Sequence, residues 1–128
     1  MKLLLDTCTF LWLNGALQQL PPRVREACEA TENDLYLSTV SVWEIALKWA
    51  AGRLTLPEEP WVWVPSRREQ NGVASLPVTE EAVAQVTKLP TLHRDPFDRM
   101  LVCQAVSEGL AVVTPDPLIR QYPVRVFW

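Results

Sequence analysis

The chain contains few of the residues that build metal–sulfur sites or disulfide frameworks. Its 128 residues include three cysteines and one histidine, and no two cysteines form a CxxC pair. The number of cysteines is odd, and Cys8, Cys28 and Cys103 lie far apart in apolar segments with helical spacing. We therefore expect buried free thiols in a reducing compartment, and neither a zinc site nor a set of disulfides.

The sequence also lacks an excess of positive charge and a long apolar run. Its formal net charge of −3 argues against nucleic-acid binding through bulk electrostatics, although metal ions or a local group of arginines could still supply positive charge. The leucines that follow Lys2 stop at Asp6, well short of a signal-peptide core or a membrane span. We expect a cytoplasmic protein that does not associate with membranes.

No internal repeat, linker or low-complexity segment interrupts the chain. With 48% hydrophobic and 21% charged residues over 128 positions, the sequence is long enough for one hydrophobic core and too short for two. Residues 1–128 are therefore expected to form a single domain.

Predicted strands alternate with predicted helices. Strand-like segments cover 2–6, 35–38, 72–76, 110–114 and 124–127; helix-like segments cover 7–17, 23–31, 41–51, 61–70, 79–87 and 96–108, with a short helix from Pro117. The stretch 61–64 could alternatively be a strand. Short loops between alternating strands and helices indicate an α/β fold: a three-layer α/β/α arrangement around a central, mostly parallel sheet of about five strands.

Four acidic residues fall where one predicted element changes into the next. Asp6 ends the leucine run, Glu44 and Asp98 lie near the starts of two helices, and Asp116 follows a strand-like segment. Since the carboxyl ends of parallel strands and the helix starts facing them share one crevice, these carboxylates are expected to converge. They cannot all stay charged without a cation between them, and oxygen ligands suit Mg²⁺ or Mn²⁺. The pattern suggests phosphate chemistry.

Three of these acids also have a structural interpretation as helix caps. Glu44 is the fourth residue of a Ser-x-x-Glu capping box that would begin at Ser41. Asp95 and Asp116 are each followed by proline, the pattern of an N-cap with proline at the first helical position, and Asp98 would complete the first of these caps. We interpret Asp95 as a cap alone.

Asp6 is harder to explain as a purely structural residue. A carboxylate that closes a run of buried leucines is costly to desolvate unless it reaches a crevice or a cap, and Thr7 is the residue that we predict to cap the next helix. Because all four acids map to one edge of the predicted sheet, their conjunction indicates function more strongly than any one of them.

The segments around these acids resemble the PIN-domain family, and more narrowly the VapC-type toxins of prokaryotic toxin–antitoxin pairs. The resemblance is carried by 3–7 (Leu-Leu-Leu-Asp-Thr), 38–46 (with Trp-Glu-Ile-Ala) and 92–101 (with Asp-Pro-Phe-Asp-Arg), and continues through 104–105, 108–110 and 114–116 to Tyr122 and Val124. It spans nearly the whole chain in the expected order and implies a single PIN domain over residues 1–128.

The resemblance implies a metal-dependent endoribonuclease, the toxin of a type II toxin–antitoxin pair, in which metal-activated water hydrolyses RNA phosphodiester bonds. By the resemblance Asp6, Glu44, Asp98 and Asp116 are catalytic. Asp6, Asp98 and Asp116 would bind Mg²⁺ (or Mn²⁺), and Glu44 would orient the water or hold the metal through one. The implied partners are RNA, a cognate antitoxin protein and a second copy of the chain in a homodimer.

Other side chains would support the site. Thr114 is the hydroxyl that the family usually has beside the last acid, and Thr7 and Arg99 are further supporting residues. Arg99, Arg94, Lys48 and Arg53 are possible phosphate contacts, or ordinary surface charges. The single histidine, His93, is interpreted as a hydrogen-bonding loop residue and not as a general base.

The chain departs from the family pattern at a few positions. Cys8 stands where this branch often has histidine, and Pro115 and Ile119 replace the small or polar residue and the aromatic residue common around the last acid. No catalytic acid is lost. The tryptophans at 43, 49, 61 and 63 lie on or near helices that could bind an antitoxin, although we expect most of them in the core or in a dimer interface.

Three other classes remain open. A catalytically silent PIN fold used only for binding would keep the fold without the chemistry, and a DNA-directed nuclease would use the same metal chemistry. An aspartyl-phosphate protein also places an aspartate at a strand end, but a haloacid-dehalogenase-like phosphatase would need an acid at position 8, where this chain has cysteine.

Overall fold

The leucine run near the N-terminus forms the central strand of a parallel sheet. The computed structural model describes residues 1–92 and 94–128. Within these ranges five strands, β1 (Lys2–Leu5), β2 (Asp34–Ser38), β3 (Val73–Leu76), β4 (Ala111–Val113) and β5 (Val126–Phe127), lie in the order β3–β2–β1–β4–β5. Every pairing in the sheet is parallel, and Leu3 of β1 aligns with Leu35 on one side and with Ala111 on the other.

Helices cover both faces of this sheet. The described residues form α1 (Thr7–Leu13), α2 (Pro22–Glu29), α3 (Thr39–Ala50), α4 (Pro60–Asn71), α5 (Glu80–Gln85) and α6 (Pro96–Glu108), with short 3₁₀ helices at Leu17–Gln19, Val86–Lys88 and Ile119–Gln121. No helix in these described ranges is both long and apolar enough to cross a bilayer.

The alternation of side chains along β1 produces two cores, one on each face. Leu3 and Leu5 pack with residues of α1 to α4, among them Ile45, whereas Leu4 packs with Leu101 of α6. The central strand is therefore buried on both faces, as parallel strands usually are. The predicted three-layer α/β/α architecture with a five-stranded sheet is confirmed, and the sheet is parallel throughout the described residues.

The start of α1 differs from the prediction. Its N-cap is Asp6, whose Oδ1 accepts a hydrogen bond of 2.8 Å from the Thr9 N–H, so the prediction that Thr7 caps this helix is wrong. The strand and the helix meet directly at Asp6, which leaves Thr7 as the first helical residue. One carboxylate thus closes the strand and caps the helix.

The start of α3 also differs. The helix begins at Thr39, and Ser38 caps it by accepting a 3.0 Å bond from the Val40 N–H. Ser41 is therefore a buried residue inside the first turn and does not begin a capping box. The interpretation of Glu44 as a capping residue is wrong, and its burial needs another explanation.

Two long helix-like segments end differently from each other. The segment predicted as helical over 7–17 ends at Leu13, because the Asn14 side chain donates to the Phe10 carbonyl (2.9 Å) and turns the chain. The segment 61–70 is helical and is not a strand; α4 tolerates Pro65 because this residue lies on the exposed face, where water can reach the carbonyl left without an amide donor. Gly72 ends α4 in the left-handed region with φ 65°.

The remaining differences are small. The helix predicted over 79–87 is α5 followed by a 3₁₀ turn, and Thr79 caps it as predicted. The short helix expected from Pro117 is the 3₁₀ helix Ile119–Gln121, and the last strands are shorter than expected. Helix α6 begins and ends where the sequence predicts.

The position of α6 relative to the strands is fixed by a buried amide. Gln104 is 1% exposed, and its Oε1 accepts a 2.5 Å bond from the Ser38 hydroxyl at the end of β2. Its Nε2 donates to the Leu76 carbonyl at the end of β3 (3.3 Å). Because a buried amide is costly to leave unpaired, these bonds hold the middle of α6 against the ends of β2 and β3.

Candidate active site

The four acids that the sequence singled out line one pocket at the carboxyl edge of the sheet. Its cavity of about 250 Å³ is lined by Asp6, Thr7, Cys8, Leu11, Glu44, Lys48, Asp95, Asp98 and Asp116. Asp6 follows β1, Asp116 follows β4, and Glu44 and Asp98 come from α3 and α6. The neighbours β1 and β4 are where the strand order changes direction, the place where α/β sheets usually bind ligands.

Asp6 lies at the centre of this edge and is 5% exposed. Besides capping α1, its carboxylate accepts hydrogen bonds from the Thr114 hydroxyl and the Cys8 thiol. The Cys8 Sγ lies 3.3 and 3.4 Å from the two carboxylate oxygens. Burial raises the pKa of Asp6 above its ordinary value, while the hydrogen bonds from Thr114, Thr9 and Cys8 act against that rise. These donors compensate part of the cost of burying a carboxylate.

Glu44 is 7% exposed, and donors contact both of its oxygens. The Thr7 hydroxyl donates to Oε1 at 2.6 Å, and the Lys48 ammonium lies 2.7 Å from Oε2, one turn further along α3. The Lys48 side chain is 42% exposed, so its charged end also faces solvent. The pair explains how a carboxylate can be buried in the middle of a helix.

Asp98 lies in the first turn of α6, where its surroundings disfavour the charged form of its carboxyl group. Burial and the neighbouring carboxylates of Asp95, Asp116, Glu44 and Asp6 raise the pKa of Asp98 to about 7. In the absence of a cation, a large fraction of the protein at neutral pH therefore carries a protonated Asp98. A bound cation would favour the charged form.

Asp116 lies in the turn that follows β4. Its N–H donates to the Thr114 hydroxyl oxygen (3.1 Å), and its Oδ1 accepts from the Leu118 N–H (2.9 Å). The carboxylate thus makes a local turn that precedes the 3₁₀ helix Ile119–Gln121. Thr114, fully buried, contacts both Asp6 and the Asp116 backbone and so connects two of the acids.

Asp95 caps α6 as predicted. Its Oδ1 accepts from the N–H groups of Phe97 (2.9 Å) and Asp98 (3.3 Å). It also lines the pocket, which the sequence interpretation did not include. Because its charge is one cause of the raised pKa of Asp98, this cap contributes to the electrostatics of the site.

The predicted basic residues are placed differently from one another. Arg99 donates to the Pro90 carbonyl (3.0 Å) and the Tyr122 hydroxyl (3.1 Å), with its guanidinium 5.9 Å from the centre of the Tyr122 ring. Among the pocket-lining residues that the structure describes, Lys48 is the single basic side chain, so neither Arg99 nor Arg53 nor Arg94 joins the acids there. The interpretation of His93 concerns a residue outside the described ranges.

The hydrogen-bond partners of two pocket residues, Thr7 and Cys8, were not recognised from the sequence. Thr7 was predicted to support the site, but its bond to Glu44 joins residues 37 positions apart, which no local pattern reveals. Cys8 was noted only as a departure from the family, whereas its thiol lies in the pocket and donates to Asp6. The i, i+4 spacing of Glu44 and Lys48 on a predicted helix was a signal that could have shown their pairing.

The cysteines are free thiols, but only Cys103 is fully buried; Cys8 and Cys28 are partly exposed, which corrects the expectation of three buried thiols. Burial, followed by the charge of Asp6, raises the pKa of the Cys8 thiol. Burial raises the pKa of Cys28 to about 11. These thiols therefore stay protonated at neutral pH and are weak nucleophiles.

A larger cavity of about 480 Å³ lies on another side of α3 and is almost entirely apolar. It is lined by Thr39, Val40, Trp43, Val78, Pro96 and Met100. Trp43 is 57% exposed and packs edge-on against Phe97 at 5.0 Å between ring centres, whereas Trp63 belongs to the core. None of the described residues that line this groove is acidic or basic.

The side chains of the acidic pocket suit a hard divalent cation in chemistry. The donors are carboxylate and hydroxyl oxygens, which Mg²⁺ and Mn²⁺ prefer, and burial together with neighbouring carboxylates raises the pKa of Asp98. Within residues 1–92 and 94–128, no group of three or more His, Cys, Asp or Glu side chains is arranged so that it could hold a metal ion. The donor set therefore fits such an ion, and the side-chain positions are not those of a completed ligand shell.

Two ribonucleases are similar to the chain in sequence. Ribonuclease VapC22 from Mycobacterium tuberculosis (strain ATCC 25618 / H37Rv) is 26% identical to the chain over 129 residues, which cover 97% of each protein. Ribonuclease VapC16 from the same organism is 31% identical over 80 residues, 56% of this chain and 57% of that protein.

Solved structures show the same fold. The crystal structure of VapBC2 from Rickettsia felis, bound to a DNA fragment from their promoter, matches with a TM-score of 0.72 and 14% identity over 98% of this chain and 96% of that one. DNA-bound VapBC from Salmonella typhimurium matches with a TM-score of 0.69 and 20% identity over 99% and 97%. The model of the PIN domain family matches residues 3–124, from the central strand through the last acid of the pocket, and the chain belongs to the PIN domain family.

Proposed function

We propose that the protein is a metal-dependent endoribonuclease and the toxin of a toxin–antitoxin pair. The observation that carries the proposal is the convergence of Asp6, Glu44, Asp98 and Asp116, from four different elements, on one pocket of about 250 Å³. Similarity to a named ribonuclease over 97% of the chain supports RNA as the substrate.

In this proposal Asp6, Asp98 and Asp116 hold Mg²⁺ or Mn²⁺, which when bound offsets charge on the scissile phosphate and lowers the pKa of a water ligand. Asp6 is held for this role by the Thr9 amide and the Thr114 hydroxyl. Asp98, with its raised pKa, must give up a proton before it can act as an anionic ligand.

Glu44 has a different role. Its oxygens already accept from Thr7 and Lys48, so it is fixed in place and orients water at the side of the pocket formed by α1 and α3. No histidine or serine nucleophile is needed for this chemistry. Hydrolysis by an oriented water would leave 5′-phosphate and 3′-hydroxyl ends.

A protein partner is part of the proposal. The solved relatives are VapBC complexes, so a cognate antitoxin is expected to bind this chain and block it. A homodimer and a cytoplasmic location stay predictions from the sequence.

The test is cleavage of total RNA and of single-stranded DNA by purified protein with Mg²⁺, with Mn²⁺ and with chelator, beside Asp98→Asn. We expect discrete RNA fragments that vanish with chelator and fall at least about 100-fold with the variant, because one ligand charge is lost. Asp34→Asn, the same change at an exposed aspartate outside the pocket, is the matched control, and cleavage should stay close to that of wild type.

Other outcomes would point to the alternative classes. Cleavage of DNA in preference to RNA would indicate a DNA-directed nuclease. Phosphate trapped covalently on Asp6 would indicate a phosphatase. Absence of cleavage from a sample that mass spectrometry shows to be free of a bound partner would indicate a catalytically silent binding fold.

A further inference from the structure

A second cavity lies directly beside the acidic pocket. It has a volume of about 200 Å³, and its walls include Leu11, Asn14, Gly15, Leu54, Leu56 and Trp63. Leu11 also lines the acidic pocket, so the two cavities meet at this side chain of α1. A ligand that occupies the acidic pocket can therefore extend into the second cavity, which we call the Leu11 cavity.

The walls of the Leu11 cavity are largely apolar and are fixed by the core. Trp63 is 7% exposed and packs edge-on against Phe10, with 6.1 Å between the ring centres. Leu54 and Leu56, from the loop between α3 and α4, pack against the same core. None of the described residues that line the cavity carries a charge. Because pockets for drug-sized ligands begin at about 300 Å³, this smaller space suits a single planar ring system.

A cationic side chain lies at the end of the Leu11 cavity away from the acids. Asn14, which lines the cavity, caps the C-terminus of α1, at the opposite end of that helix from Asp6. Arg67 of α4 donates from Nε to Asn14 Oδ1 at 2.7 Å, and Asn71 donates to the same oxygen at 2.7 Å. Since this contact of Arg67 uses Nε, the outer nitrogens of its guanidinium are available to an anion such as a phosphate.

This succession of surfaces favours a nucleic acid over a protein segment as the occupant. Proteins bind single-stranded nucleic acids by stacking bases on aromatic and apolar side chains and by contacting the backbone phosphates with basic ones. Here a pocket proposed to hold a phosphate, an apolar cavity and a fixed arginine follow one another along α1. An apolar segment of a protein partner would use the cavity but would need neither neighbour.

We propose that the Leu11 cavity binds one nucleobase of the RNA, that of a nucleotide next to the scissile phosphate, and that Arg67 contacts the backbone phosphate beyond it. The proposal rests on the ribonuclease function proposed above and adds a substrate subsite to it. Leu11 and Trp63 supply the apolar surface for the base. These residues bind the substrate and take no part in hydrolysis.

The test is the affinity of the protein for a short fluorescent single-stranded RNA and for a ribose-phosphate chain of the same length without bases. Fluorescence anisotropy in Mg²⁺ measures both affinities. Every sample carries Asp98→Asn, so that the RNA stays intact. This parent protein should bind the RNA about tenfold more tightly than the abasic chain, because a base stacked on a protein side chain contributes an effect of that size.

Gly15→Leu fills the cavity from the end of α1. Gly15 is exposed, and a Cβ added there would lie 3.6 Å from the Leu11 carbonyl oxygen, an ordinary contact. The variant should weaken RNA binding about fivefold to tenfold and leave binding of the abasic chain unchanged. Gly15→Ala is the matched control and should bind RNA like the parent protein. Thr55→Leu, at an exposed residue on the loop side of the cavity, should act like Gly15→Leu.

Arg67→Gln tests the phosphate contact separately. Loss of the charge should weaken binding of the RNA and of the abasic chain alike, by about threefold, because both ligands keep the phosphate. The dependence of the affinity on salt should also decrease by about one phosphate contact. Arg68→Gln, the same change at the next residue of α4, is the control and should match the parent protein.

The outcomes distinguish this inference from the proposed function. If Gly15→Leu and Thr55→Leu changed neither affinity, or changed both equally, the base subsite would be overturned, and Mg²⁺-dependent cleavage by the wild type would still support the ribonuclease. Selective loss of RNA binding in these variants, without cleavage by the wild type, would support the subsite and overturn the enzyme. Circular dichroism checks that each variant is folded, and if Gly15→Leu is not, Thr55→Leu decides.

Discussion

The acidic pocket has two halves that differ in how the protein treats their charge. In the half formed by β1, α1 and α3, Asp6 and Glu44 are almost fully buried and accept hydrogen bonds from hydroxyl, amide, thiol and ammonium donors. In the half formed by α6 and the turn after β4, Asp98 and Asp116 are less buried, and burial together with the described neighbouring carboxylates raises the pKa of Asp98.

In the first half, fixed donors hold the carboxylates in place, whereas in the second half the surroundings disfavour the charge of Asp98. The first half is built like the rest of the core, since each buried carboxylate is compensated by fixed donors of the protein. In the second half, burial and neighbouring carboxylates raise the pKa of Asp98, and a bound cation would favour its charged form.

The largest effect is expected at the residue that joins the two halves. Thr114→Val keeps the shape of the side chain and removes the hydroxyl that donates to Asp6 and accepts from the Asp116 N–H. The buried carboxylate of Asp6 and the partly buried N–H of Asp116 each lose a partner, so the free energy of unfolding should fall by about 2 to 3 kcal/mol. Urea denaturation at pH 7 in chelator measures this change.

Thr114→Ser is the matched control for that change. Serine keeps the hydroxyl and loses one methyl group, so it should cost only about 1 kcal/mol. If the valine variant were no less stable than the serine variant, Thr114 would not connect the two halves, and the contrast between them would have to be explained by burial alone.

The next effect concerns the half that contains Asp98 and depends on pH. The pKa of Asp98 is raised to about 7 in the folded protein, whereas an unfolded aspartate titrates near about 3.9. A raised carboxyl pKa means that the folded state binds the extra proton, so its contribution to stability is present below the unfolded pKa and is lost as pH rises towards about 7. The metal-free wild type should therefore lose stability between about pH 4 and about pH 7.

Asp98→Asn removes this titration. In chelator, the free energy of unfolding of the variant minus that of wild type should be about 1 to 2 kcal/mol larger at pH 8 than at pH 5. This range is reduced for the partial exposure of Asp98. Denaturation curves at the two pH values measure the difference. Asp95→Asn, which removes one of the neighbouring charges, should shift the wild-type profile in the same direction and by less. A difference between Asp98→Asn and wild type that is equal at both pH values would contradict the raised pKa of Asp98.

The sequence predicted well those features that depend on neighbouring residues. The start of α6 follows from Asp95 and the proline after it, because a cap and a fixed φ at the first helical position determine a helix start locally. The alternation of strands and helices likewise predicted a three-layer sheet, since buried leucines in a run of three require helices on both faces. The four acids were located by the same logic of strand ends.

Features that depend on contacts between distant residues could not be predicted in the same way. The bond between Thr7 and Glu44 exists only because β1 and β2 lie side by side and bring α1 against α3. Arg99 lies in a segment that resembles the family, yet its guanidinium contacts Pro90 and Tyr122. The folded chain determines these contacts, and the sequence near Arg99 does not reveal them. The errors of one to three residues in the caps of α1 and α3 arose because adjacent Ser, Thr and Asp residues compete for the same role.

The smallest effect is expected at Cys8, whose thiol is the weakest hydrogen-bond donor in the half of the pocket formed by β1, α1 and α3. Its thiol lies 3.3 and 3.4 Å from the oxygens of Asp6, and thiols donate weakly. Cys8→Ala should therefore lower the free energy of unfolding by no more than about 0.5 kcal/mol, several times less than Thr114→Val. Cys8→Ser, which offers a stronger donor, should equal or exceed wild type in stability. If Cys8→Ala instead cost as much as the loss of the Thr114 hydroxyl, the thiol would be a principal support of Asp6, and the compensation of that half would depend on a side chain that oxidation can remove.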